Sequence, residues 1–114
     1  MSGPADFAAE LNRLGHSAVA HEDGRVTLQY AVPLGTHRGQ EVSLGFRVPA
    51  DFPGTPPGGP CLAPRLGHPQ GNVHAADDFG AEWEYWSRPY AEWAVGPRTA
   101  KAYMAHVRRL FAQQ

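Results

Sequence analysis

Arg25-Val26-Thr27-Leu28-Gln29-Tyr30-Ala31-Val32 alternates apolar with polar or small side chains at every step. A period of two puts Val26, Leu28, Tyr30 and Val32 on one face, so the stretch reads as a half-buried β-strand. Downstream, Val42, Leu44, Phe46 and Val48 repeat the alternation after a loop of turn residues, Pro33 to Gln40. Upstream, Asp23-Gly24 favours a tight hairpin turn, with Ser17 to Glu22 before it. Strands joined in this way form an antiparallel meander with one face buried. Cys61-Leu62 supplies a short fourth strand before Pro64.

Helices bracket the meander. Phe7, Leu11 and Leu14, with Ala8 beside them, recur at helical spacing; Ser2 and Pro4 suit the start of that helix and Gly15 its C′ position. A closing helix is expected from Pro97, with Ala100, Tyr103, Val107 and Leu110 along its apolar stripe and Arg108-Arg109 complementing its C-terminal dipole. Prolines 49, 53, 56, 57 and 60 exclude a central strand from Pro49 to Pro60, because proline brings no ladder donor. Residues 65 to 78 read as irregular, and residues 79 to 93 hold half of the chain's aromatic rings. The expected architecture is α+β in a single domain, 1–114: N-terminal helix, four-stranded meander, proline-rich flap, irregular active-site segment, C-terminal helix.

Composition narrows the function classes. A chain of 114 residues with 42% hydrophobic residues suits one compact core. No apolar run is long enough to span a bilayer, and the N-terminus lacks a signal-peptide pattern, so a soluble cytoplasmic protein without membrane association is expected. One cysteine excludes an internal disulfide and a zinc-cysteine cluster. A net charge of -1 argues against a nucleic-acid partner.

The order of these elements, with the flap Phe52-Pro53-Gly54-Thr55-Pro56-Pro57 and the pair His68-Pro69, resembles the ubiquitin-conjugating (UBC) superfamily. Trp83-Glu84-Tyr85-Trp86-Ser87-Arg88 and the closing Gly96-Pro97 helix are similar to one bacterial branch, the prokaryotic conjugating-enzyme-like family E. The resemblance implies a UBC-like fold and two partners, a ubiquitin-like protein and an activating-enzyme-like (ThiF-type adenylating) protein. It also implies that His68 hydrogen-bonds backbone and fixes its loop. Two departures stand out. Gln70 replaces the Asn that follows His-Pro in the family, and the position of the catalytic cysteine falls on Asp78, with no cysteine between residues 70 and 93. A thioester at the usual place is excluded.

Candidate chemistry therefore centres on Ser87, which can carry an acyl group as an ester if a base takes its proton. His74 and His68 are the candidate bases, and Arg88 a holder of a carboxylate or developing oxyanion. Against this, serine is common at caps and turns for local hydrogen-bonding reasons. Cys61 reads either as a displaced acyl carrier or as a small buried hydrophobe. Asp77 and Asp78 can orient an incoming amine or simply be solvated. The spacing of His68, His74, Asp77 and Asp78 does not suit a metal, and no cofactor is expected. The aromatic run is either core or a partner-binding face. Two functions follow: transfer of an activated ubiquitin-like protein through a Ser87 ester, or a catalytically inactive UBC-like module that binds a ubiquitin-like protein or scaffolds its activating enzyme. A generic peptide-binding domain using the aromatics lies outside the superfamily.

Overall fold

The computed structural model describes residues 3–69, 71–87 and 90–113. In chain order the elements are α1 (Pro4–Arg13), β1 (Val19–Ala20), β2 (Arg25–Ala31), β3 (Glu41–Arg47), β4 (Gly58–Ala63), β5 (Val73–Ala75), β6 (Glu84–Trp86) and α2 (Ala100–Ala112). The protein is α+β, with one antiparallel sheet ordered β1-β2-β3-β4-β6-β5.

The meander runs from β1 to β4 as the alternation implies, but the sheet has six strands rather than four. Residues 65 to 78 and 79 to 93 are not wholly irregular: each contributes a three-residue strand, and β6 inserts between β4 and β5. Strands this short carry too few positions to show a period. The second correction concerns Pro60, which lies inside β4, a central strand. Gly58 pairs with Arg47 and Cys61 with Gly45, so β4 carries one extra residue there. Pro60 sits at that bulge, where the ladder is already interrupted and a missing N–H is tolerated.

The helix ends also differ from expectation. Gly3 is the N-cap of α1, and its N–H donates to the Phe52 carbonyl (3.0 Å); Ser2 lies outside the described residues. The closing helix begins at Ala100, past Pro97, because Thr99 is extended and its side chain accepts from the Ala102 N–H. Glu10 of α1 accepts the Ala100 N–H (2.7 Å), fastening the two helices end to end.

Both helices pack on one face of the sheet. Phe7 meets Phe46 and Phe52 edge-on at 5.4 and 5.2 Å, Tyr103 meets Phe46 at 5.6 Å, and Phe111 meets Trp86 at 5.1 Å. These offset geometries suit ring quadrupoles and fill the core. Leu14, placed on the buried stripe by its spacing, is 44% exposed because α1 has ended before it. No helix among the described residues is long and apolar enough to cross a membrane.

Gly35 and Gly39 share a φ of 88°, yet differ in surroundings: a Cβ on Gly35 would strike the Phe111 carbonyl, whereas Gly39 faces open space. Gly39→Ala is expected to cost about 1 kcal/mol, the left-handed strain alone. Gly35→Ala should cost about 2–4 kcal/mol, since overpacking against α2 joins the strain. Urea unfolding of both variants checks this, and equal costs would contradict the packing of the 33–40 loop on α2.

Candidate functional site

Ser87 follows β6, and its N–H donates to the Asn72 carbonyl (3.0 Å), continuing the β5–β6 pairing by one step. Because β6 runs antiparallel to β4, the end of β6 arrives at the start of β4, where the proline flap enters the sheet. The result is a cleft of about 290 Å³ walled by Pro56, Pro57, Gly58 and Gly59 on one side and by Tyr85, Ser87, Tyr90 and Tyr103 on the other. The flap is held down from beneath. Trp93 Nε1 donates to the Pro53 carbonyl (2.9 Å), its ring lies against Phe52, and the Tyr103 hydroxyl approaches the Gly59 carbonyl (3.4 Å). Burial pushes the Tyr103 phenol up, so it stays a protonated donor. Tyr90 stacks on His106 (5.0 Å, 12°), with the Arg109 guanidinium 5.8 Å from its ring.

The sheet face opposite the helices adjoins this cleft. Thr27, Gly45, Cys61, Tyr85 and His74 stand in register across five strands. Phe79 lies over Gly45, in space that any side chain there would take, and stacks on Trp83 at 5.0 Å. The Arg47 guanidinium sits between the rings of Phe79 (5.4 Å) and Tyr85 (5.3 Å). Asp78 grips it with two bonds, Nε to Oδ2 at 2.7 Å and Nη2 to Oδ1 at 2.5 Å. That contact holds the Asp78 carboxyl below the ordinary carboxylate range.

The candidate residues do not converge on one point. Cys61 is fully buried, and burial pushes its thiol up to about 11, only partly offset by Arg47; at neutral pH it is a protonated, inaccessible thiol. His68 is also buried, with Nε2 donating to the Leu110 carbonyl (3.0 Å) and its ring edge-on to Trp86 (4.9 Å). It pins the loop after β4 to the end of α2. The flap enters β4 and the His68 loop leaves it, so the two are separated by that strand's length and do not share one end of the sheet. His74 is exposed on β5, its ring 6.0 Å from Tyr85. It lies diagonally across from Ser87 on the same face, a separation that long side chains can span. Asp78 is committed to Arg47, and Asp77 is exposed. Arg88 and Gln70 lie outside the described residues. Among the described residues no group of three His, Cys, Asp or Glu side chains could hold a metal ion. The aromatic run divides: Trp86 and Trp93 are core, while Phe79, Trp83, Tyr85 and Tyr90 are half-buried.

Sequence reasoning missed Glu84. Its side chain is 4% exposed, and Oε2 accepts from Leu66 N–H (2.9 Å), Gly67 N–H (2.7 Å) and Trp86 Nε1 (2.9 Å). A glutamate in a polar-aromatic run reads as solvated, and no local pattern marks the two distant backbone donors. Arg47 was also missed, because its partner lies 31 residues away.

Compared with known proteins, the chain matches no family model, no curated protein and no solved structure.

Glu84→Leu removes the acceptor shared by the part-buried Leu66 and Gly67 N–H groups and the buried Trp86 indole, and should lower stability by about 2 kcal/mol in urea unfolding, against a few tenths for the exposed Glu82→Leu. The Cys61 thiol should resist a disulfide reagent at pH 8 and react fully in urea. The unfolded thiol ionises near 9.0 and the folded one near 11, so the folded state binds the extra proton and stability falls as pH rises through that window. Buried Tyr30 and Tyr103, both raised, add to the alkaline loss. Cys61→Ala should flatten only the thiol's share of it.

Proposed function

We propose that this protein is an atypical ubiquitin-conjugating-like module that binds a ubiquitin-like protein, taking its extended C-terminal tail into the Ser87 cleft without forming a covalent bond. The single observation behind this reading is the cleft itself, in which the proline flap and the aromatic segment face each other across Ser87. Prolines hold one wall rigid, so little ordering entropy is lost on binding, and tyrosines on the other offer flat apolar surface with polar tips. An extended peptide fits such walls, as extended segments fit aromatic-lined grooves in other recognition modules. The groups a conjugating enzyme would need point away from catalysis. The thiol is buried and held protonated, and His68 is bound to the Leu110 carbonyl. The resemblance in element order adds the partner class, and a ThiF-type adenylating protein is the second expected partner.

One observation favours a second reading, transfer through an ester. Ser87 lines the cleft, and His74 stands on the same sheet face, one diagonal step away. In that reaction the Ser87 hydroxyl attacks the acyl adenylate of the ubiquitin-like protein, the new C–O bond replaces the bond to AMP, and the proton passes to His74.

A mixture of the protein with a ubiquitin-like protein, its activating enzyme and ATP separates the readings. The binding reading expects a noncovalent complex, weakened at least tenfold by Tyr90→Ala, with no covalent adduct. An adduct that survives thiol reductant, yields to mild base and vanishes in Ser87→Ala would establish the ester instead. No association at high micromolar concentration would sink both.

A further inference from the structure

A second cleft, of about 440 Å³, lies on the other side of the flap and shares Pro56 and Gly58 with the Ser87 cleft. Arg25, Arg47 and Asp78 line it. Arg47 belongs to both neighbourhoods, because it pairs with Gly58 in the sheet and its guanidinium lies on the Tyr85 ring that walls the Ser87 cleft. Held between Phe79 and Tyr85, that guanidinium is pre-oriented, and its planar fork matches a carboxylate bidentately. A carboxylate already fills the fork, that of Asp78.

We propose that Arg47 is the seat for the free C-terminal carboxylate of the tail bound in the Ser87 cleft, and that Asp78 occupies this seat until the tail arrives. This rests on the binding reading above and adds which end of the partner is read and what competes with it. The Asp78 side chain can leave without unfolding its loop. Arg25 Nη1 holds the Asp78 backbone carbonyl, Phe79 is seated over Gly45, and the Phe79 N–H donates to the Ala76 carbonyl (3.0 Å). Only the carboxylate has to rotate. Both partners are partly exposed, with side chains 41% and 46% accessible, so the resident pair is weak enough to be displaced by an equivalent group. Arg25 adds positive charge nearby, although Asp23 sits 2.7 Å from its Nε.

The probe is acetyl-triglycine, as the free acid and as the C-terminal amide. It has no side chains, so only backbone and terminus are tested. Titration is followed by NMR at the Arg47 Nε–H and at the backbone amides of Tyr85, Ser87 and Tyr90. The acid should shift Arg47 and the cleft amides together. Asp78→Asn, and Asp78→Ala as a variant that cannot accept from Arg47, should tighten the acid by about three- to fivefold, the size of an exposed ion pair, and leave the amide unchanged. Arg47→Gln should erase the preference for acid over amide. If the cleft amides move while Arg47 does not, or if Asp78→Asn and Asp78→Ala leave the acid unimproved or improve acid and amide alike, the seat is overturned and the cleft reading stands. If the cleft amides stay still in every titration, the cleft reading falls and takes the seat with it.

Discussion

A single carboxylate oxygen, Glu84 Oε2, gathers two backbone N–H groups from the loop after β4 and the indole N–H of Trp86. Three donors on one buried acceptor hold that loop against β6, so β6 lies beside β4 with Tyr85 facing one way and Trp86 the other. The arrangement around the flap depends on this. Trp86 joins the core under Phe111 and His68, and the chain beyond it delivers Ser87 to the flap. A buried carboxylate oxygen that gathers three fixed donors also specifies register, since a one-residue slip would exchange the two faces of β6.

The sheet serves two roles on its two faces. One is a hydrophobic floor for α1 and α2, built from the strictly alternating strands β2 and β3. The other is polar, with Gln29 donating to Ser43 and two arginines flanking a ring seated over Gly45. Cys61 belongs to this second face, yet it is as buried as the core, because Phe79, Arg47 and Tyr85 close around its row. A thiol placed there is a packing group, and the aromatic and proline cleft lies beside it.

Among the site residues, legibility followed the range of the interaction. That the flap lies outside the strands as far as Pro57 was readable, because closely spaced prolines bring no ladder donors. Ser87 stood out by its place in the aromatic run, but its position opposite the flap depends on β6 crossing to β4. The resemblance gave His68 its backbone hydrogen bond and its role in fixing a loop, whereas its partner on α2 and the donors to Glu84, in the loop after β4, could not be read from neighbouring residues. Arg47 looked like an ordinary outward-facing strand residue, and only the folded chain brings Asp78 to it.

The amino-acid order by itself determined the helix–meander–helix plan, because periods of 2 and 3.6 are properties of a segment and need no partner to be visible. Its prolines also kept residues 49–57 out of the sheet, but Gly58 to Pro60 join a central strand through the bulge in the pairing with β3. Only the tertiary structure decided that two three-residue strands would complete the sheet, that the lone thiol would be sealed, and that Ser87 would meet the flap. The physical reason is the same for each: these outcomes rest on contacts between residues far apart in the chain, whose energies exist only after the backbone has closed on itself.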